Sequence, residues 1–127
     1  MSAVVGRHYP RVLTPKIKTA NLKSDRPGVQ TALERLAREI AIARQEGCGV
    51  LKVIHGYGST GVGGDIRIAV QKRLRELFDS GEISGCIFGE NWSTADDETW
   101  QILQVRRDLK NDPDLGRRNP GITMVIL

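Results

Sequence analysis

The residues best equipped for chemistry lie between Val53 and Arg67, where His55-Gly56-Tyr57-Gly58-Ser59-Thr60-Gly61-Val62-Gly63-Gly64 follows a short hydrophobic run. Five glycines in this stretch let backbone N–H groups approach an anion closely, and a helix beginning after them adds the positive end of its dipole. His55 is one of two histidines. At the end of a strand beside glycines, an imidazole can transfer protons or can hydrogen-bond the loop backbone and hold its shape. The other, His8, sits in an N-terminal stretch without a clear period and is incidental. Neither common nucleotide fingerprint is present: no Gly-Lys-Ser or Gly-Lys-Thr closes the loop, and the spacing differs from G-x-G-x-x-G.

Basic residues flank this loop. Arg67 and Arg75 share one face of the helix expected after the glycines, while Lys23, at the end of the first strand, is brought towards His55 if the first two strands are parallel and end together. Tyr57 is placed to stack on a base or to cover the loop. Residues 1–75 carry 14 Lys or Arg against 5 Asp or Glu, whereas residues 76–127 carry 5 against 10. A basic front half of this kind attracts polyanions.

Several elements must position these groups. Lys16 to Leu22 is weakly strand-like, and Ser24-Asp25-Arg26-Pro27-Gly28 supplies a turn and a helix start. Val29, Leu33, Leu36, Ile40 and Ala43 recur on one helical face, predicting a helix to about Glu46 that Gly47 or Gly49 ends. Val50 to Ile54 reads as a strand buried on both faces, and Ile66, Val70, Leu74, Leu77 and Phe78 mark a second helix stopped near Ser80 and Gly81. Ile83 to Phe88 is a third strand, and Ile122 to Leu127 a fourth, antiparallel to it. Between them, residues 93–110 show a third helical pattern, capped by Ser93 or Thr94, with acids in its first turn and Arg106, Arg107 and Lys110 at its far end. Trp92 and Trp100 read as packing residues. The order predicts an α/β fold: a four-stranded mixed sheet with helices packed on it as a two-layer sandwich, residues 1–15 forming an arm and 16–127 one domain.

With 39% hydrophobic and 27% charged residues in 127, the composition is that of a globular domain rather than a disordered one. No apolar run approaches the roughly 20 residues that span a bilayer, and the first residues lack the order of a secretory signal, so no membrane association and a cytoplasmic location are expected. Cys48 and Cys86 fall in different elements without CxxC spacing and read as buried thiols.

His55-Gly56-Tyr57-Gly58, between a hydrophobic strand and an amphipathic helix, resembles the HGxG signature of the small MutS-related (Smr) domain family. The ending Asn119-Pro120-Gly121-Ile122-Thr123-Met124-Val125-Ile126-Leu127 is similar to that family's last glycine-rich turn and strand. The likeness covers residues 16–127, with the Gly63-Gly64 pair similar to an extended-loop variant and residues 93–118 standing as an insertion. It implies a two-layer α/β sandwich that binds DNA or RNA and, in several members, nicks or cleaves it. The family's L-D-x-H motif has no counterpart here: Ala20-Asn21-Leu22-Lys23 occupies its place. Without that acid and histidine, His55 is the one catalytic candidate, with Asp25, Asp65 or Glu90 as substitute acids.

The resulting expectation is a domain that contacts a phosphate backbone through His55, Gly56, Tyr57, Gly58, Ser59, Thr60, Gly61, Gly63, Gly64, Lys23, Arg67 and Arg75. No cofactor is expected unless cleavage recruits a divalent metal. The alternatives are a module that binds a small phosphate compound or nucleotide in the same loop, and a protein-interaction module without catalysis.

Overall fold

A computed structural model of the chain describes residues 16–57 and 62–127. The expected arm, together with Gly58, Ser59, Thr60 and Gly61, lies outside the described residues.

The elements follow in the order β1 (Ile17–Asn21), α1 (Val29–Gln45), β2 (Val50–Ile54), α2 (Val62–Asp79), β3 (Gly85–Phe88), α3 (Asp97–Val105) and β4 (Ile122–Ile126). They form a mixed four-stranded sheet of order β1-β2-β4-β3, in which β1 and β2 are parallel and β4 runs antiparallel to both of its neighbours. The α/β architecture expected from the sequence is present. β4 also pairs with β2, inserting between the second and third strands.

Side-chain alternation explains how each face is filled. Ala20, Leu51, Val53 and Val125 point towards α1 and α2, where they meet Ala32, Leu36, Ile40, Val70 and Leu74 in one core. Val50, Ile87, Ile122, Met124 and Ile126 point the other way and are covered by Trp92, Ile102, Leu103 and Leu109 in a second core. The segment expected as an insertion therefore packs on the sheet, through α3 and the 3-10 turn Arg107–Asn111, preceded by a 3-10 turn at Gly89–Asn91. With both faces covered and a neighbour on either side, all five residues of β4 are buried.

Some boundaries differ from the expected ones for identifiable reasons. α2 begins at Val62, so Gly63 and Gly64 belong to its first turn instead of the loop. α3 is capped by Asp96, whose Oδ2 accepts hydrogen bonds from the backbone and hydroxyl of Thr99 at 3.0 Å; Ser93 instead accepts from the Ala95 N–H in a local turn at 3.2 Å. Arg106 does not sit in solvent at the helix end. It leaves the helical conformation and buries its guanidinium against Gly49, where an added Cβ would force the guanidinium to shift. Trp92 packs as expected, but Trp100 is 53% exposed, because the buried stripe of α3 runs through Thr99, Ile102 and Leu103.

Two turns rely on left-handed backbone. Gly47, at φ +74°, terminates α1 as its sequence position predicts. Asp25 and Arg26, at φ 63° and 47°, carry the chain from β1 into α1 in a conformation that non-glycine residues adopt rarely.

Candidate functional site

Because β1 and β2 are parallel with Asn21 opposite Ile54, the residues that follow each strand emerge on one rim. The Leu22 N–H donates to the Ile54 carbonyl at 2.8 Å and extends the pairing by one step. Lys23 then lies against the turn after β2: a Cβ added to Gly56 would come within 3.4 Å of the Lys23 Cδ. Gly56 itself has φ +75°, which favours glycine.

The turn is held from the other side by Gly121, just before β4. Its carbonyl accepts hydrogen bonds from the backbone N–H groups of His55 and Gly56, both at 3.0 Å. The His55 side chain follows Leu51 and Val53 in pointing towards the helices, and none of it reaches solvent. Nδ1 lies 2.7 Å from the Gly56 carbonyl and Nε2 lies 2.9 Å from the Thr123 hydroxyl. A carbonyl can only accept, so Nδ1 carries the proton; in the neutral ring Nε2 accepts, and Thr123 donates to it. Burial pushes the imidazole pKa below its ordinary value of 6.5, with the Arg67 charge adding to the effect, while the Gly56 carbonyl and Glu90 oppose it. Both ring nitrogens are thus engaged in bracing the strand-to-helix turn.

Arg67 reaches from the second turn of α2 to Glu90, which follows β3, and pairs with it through Nη2 and Oε2. The Nε of Arg67, the Nε2 of Gln71 and the Oε1 of Glu90 are buried without a hydrogen-bond partner among the described residues. Arg75 lies eight residues further along α2, about 12 Å at the helical rise, and its guanidinium stands over the Phe88 ring, 5.3 Å from the centroid. Tyr57 is 55% exposed, with its ring edge resting on Gly121.

The structure therefore gathers Lys23, His55, Gly56, Tyr57 and Arg67 at one end of the sheet, with Gly64 in the first turn of α2, and sets Arg75 apart. Of the three substitute acids, Glu90 is the one whose charge acts on His55; Asp25 and Asp65 are exposed on the β1–α1 loop and on α2. Among the described residues no group of three or more His, Cys, Asp or Glu side chains is arranged to hold a metal ion. A groove of about 180 Å³ between α1 and α2, lined by Leu33, Leu36, Ile40, Leu77 and Ile83, shares no residue with this rim.

Sequence reasoning missed several contributors. Thr123 supplies the hydroxyl that fixes the imidazole, and Arg35 braces the β1–α1 loop by donating to the Ser24 carbonyl at 2.6 Å. Lys52, in the middle of β2, is buried between Asp112 at 2.8 Å and Asp114 at 2.5 Å. Its signal was visible: a lysine interrupting the apolar run Val50-Leu51-Lys52-Val53-Ile54 needs a counter-charge if both faces are buried.

The chain matches no protein-family model, no curated protein and no solved structure. The likeness to the small MutS-related domain accordingly rests on the motif residues and the order of the elements.

Proposed function

We propose that this chain binds the sugar–phosphate backbone of DNA or RNA at the rim where β1 and β2 end. The observation that carries this reading is the contact between Lys23 and Gly56, which sets a flexible cation beside the turn leading into α2. The N-terminus of an 18-residue helix adds partial positive charge at the same place. Tyr57 offers an exposed ring for an unpaired base. In this reading His55 shapes the turn and does not contact the ligand, and contacts to phosphate make binding tolerant of sequence.

Binding to fluorescent single-stranded and duplex oligonucleotides between 50 and 200 mM salt, values chosen to span a steep screening range, tests the proposal. Affinity should fall steeply with salt, and Lys23→Ala should lower the slope of log K against log salt by about 1. Tyr57→Ala should weaken single-strand binding by roughly 1–3 kcal/mol and duplex binding much less. Absence of binding, or affinity indifferent to salt, would overturn the reading.

A second reading adds strand cleavage and is favoured by one observation, the unpartnered Oε1 of Glu90 beside a neutral histidine. A buried carboxylate oxygen without a partner is the kind of group that takes up a proton from an attacking water. Incubation of supercoiled plasmid and structured RNA with the protein and with Glu90→Gln decides it, since equal nicking by both forms rules Glu90 out.

A further inference from the structure

Lys52, in β2, and His55, directly after it, lie three residues apart yet face opposite sides of the sheet, and an unbroken chain of polar contacts joins them through the segment that covers the far face. Lys52 Nζ contacts Asp114 Oδ2 at 2.5 Å; Asp114 Oδ1 accepts from Asn119 Nδ2 at 3.1 Å; Asn119 Oδ1 accepts from the Gly121 N–H at 2.8 Å. The Gly121 carbonyl then accepts the N–H groups of both His55 and Gly56. A parallel branch stiffens the start of this path. Asp112 Oδ1 lies 2.8 Å from Lys52, while its Oδ2 accepts from Trp92 Nε1 at 3.0 Å and from the Asp114 N–H at 3.1 Å.

We infer that Lys52 is a positioning residue for the His55–Gly56 turn, acting through Asp114, Asn119 and Gly121, and that residues 112–121 exist to carry this linkage as well as to cover the sheet. Three features support the assignment. The lysine is buried, so holding it there requires the two carboxylates. One end of the path is anchored in β2 and the other in the turn that follows it, so the turn is fixed relative to the strand from which it springs. The path also meets little slack: the Asn119 carbonyl presses so closely on Gly89 that a Cβ there has no room, and a Cβ on Gly121 would lie 3.1 Å from Asn119 Oδ1 and 3.5 Å from Gly56 Cα. The consequence for ligand binding rests on the function proposed above; the structural linkage does not.

Amide hydrogen exchange followed by NMR, together with oligonucleotide titrations, tests the inference on the full chain. Asn119→Ala breaks the path without stranding a buried charge. It should speed exchange at Gly121 about tenfold, with His55 and Gly56 following, while the amides of Ile40 and Val70 in the helix core keep their wild-type rates. Lys52→Met should give the same pattern, and where that variant does not fold, Asn119→Ala alone decides. Oligonucleotide affinity should weaken severalfold in both variants with the salt slope unchanged, because no phosphate contact is removed. Exchange accelerated equally at Ile40 and Val70, or unchanged at His55 and Gly56, would overturn the inference. If the exchange pattern holds but the wild-type protein binds no oligonucleotide, the linkage stands and the nucleic-acid reading falls.

Discussion

His55 is a histidine whose two nitrogens are both committed, one to a backbone carbonyl and one to a hydroxyl. Its pKa lies below 6.5 in the folded chain, chiefly through burial, so between the two values the unfolded chain binds the extra proton. Stability from this residue is complete above pH 6.5, declines as pH falls through the window below it, and levels off once the folded form is protonated as well. Thermal melts of the wild type should show a falling midpoint as pH is lowered from about 7.5 to 5.5, the range that brackets an ordinary imidazole. His55→Ala should be less stable by roughly 2–4 kcal/mol at neutral pH, since it leaves a cavity and an unpaired Thr123, and should lose this pH dependence. A wild-type midpoint that is flat across the range would show that the imidazole is not held neutral. At this scale the sequence pointed to the right loop, because a histidine between a strand and a run of glycines is conspicuous. It did not reveal Thr123, 68 residues away, since nothing local in Ile122-Thr123-Met124 announces a partner.

Among the elements, α1 and β2 were legible almost to the residue, because apolar periodicity and terminal glycines determine where a helix or a doubly buried strand can lie. α3 was less so. Four polar residues, Ser93, Thr94, Asp96 and Asp97, surround Ala95 and all make good caps, and the burial of Thr99 and Ile102 selects among them. Asp96→Ala should therefore cost about 1 kcal/mol in chemical denaturation, whereas Ser93→Ala should stay within about 0.5 kcal/mol. The start of α2 offers a sharper contrast. Gly64 is helical, with nothing within 4 Å of an added Cβ. Gly64→Ala should stabilise the fold by about 0.5–1 kcal/mol and, on the proposed function, weaken oligonucleotide binding by placing a methyl group in the first turn of α2. A variant that melts higher and binds equally well would place the ligand elsewhere.

For the molecule as a whole, the strand order is the part that local patterns could not supply. β4 was expected beside β3, but its second partnership with β2 follows from the second core, which demands cover on the far face of β2, β4 and β3 alike. The stretch read as an insertion thus completes the structure: Ile102, Leu103 and Leu109, with the preceding Trp92, are buried with Val50, Ile122, Met124 and Ile126. Leu103→Ala should cost about 2–5 kcal/mol, as for any leucine in a core that cannot collapse around the gap. Replacing residues 93–118 by a short linker should yield an aggregating or unfolded chain, not a smaller domain, as size-exclusion chromatography and circular dichroism would show. A monomeric, cooperatively melting deletion variant would contradict this account.

The position of β4 bears on how the protein is made. Every other element leaves the ribosome before it, yet its five residues occupy the middle of the sheet. Until that segment emerges, β2 has an open edge where its neighbour belongs, β3 has nothing to pair with, and the Gly121 carbonyl that secures the His55 turn does not yet exist. The decisive step of folding therefore waits for β4: the nascent chain can form its helices and the β1–β2 pair, but the rim where those two strands end is assembled only when β4 slots in.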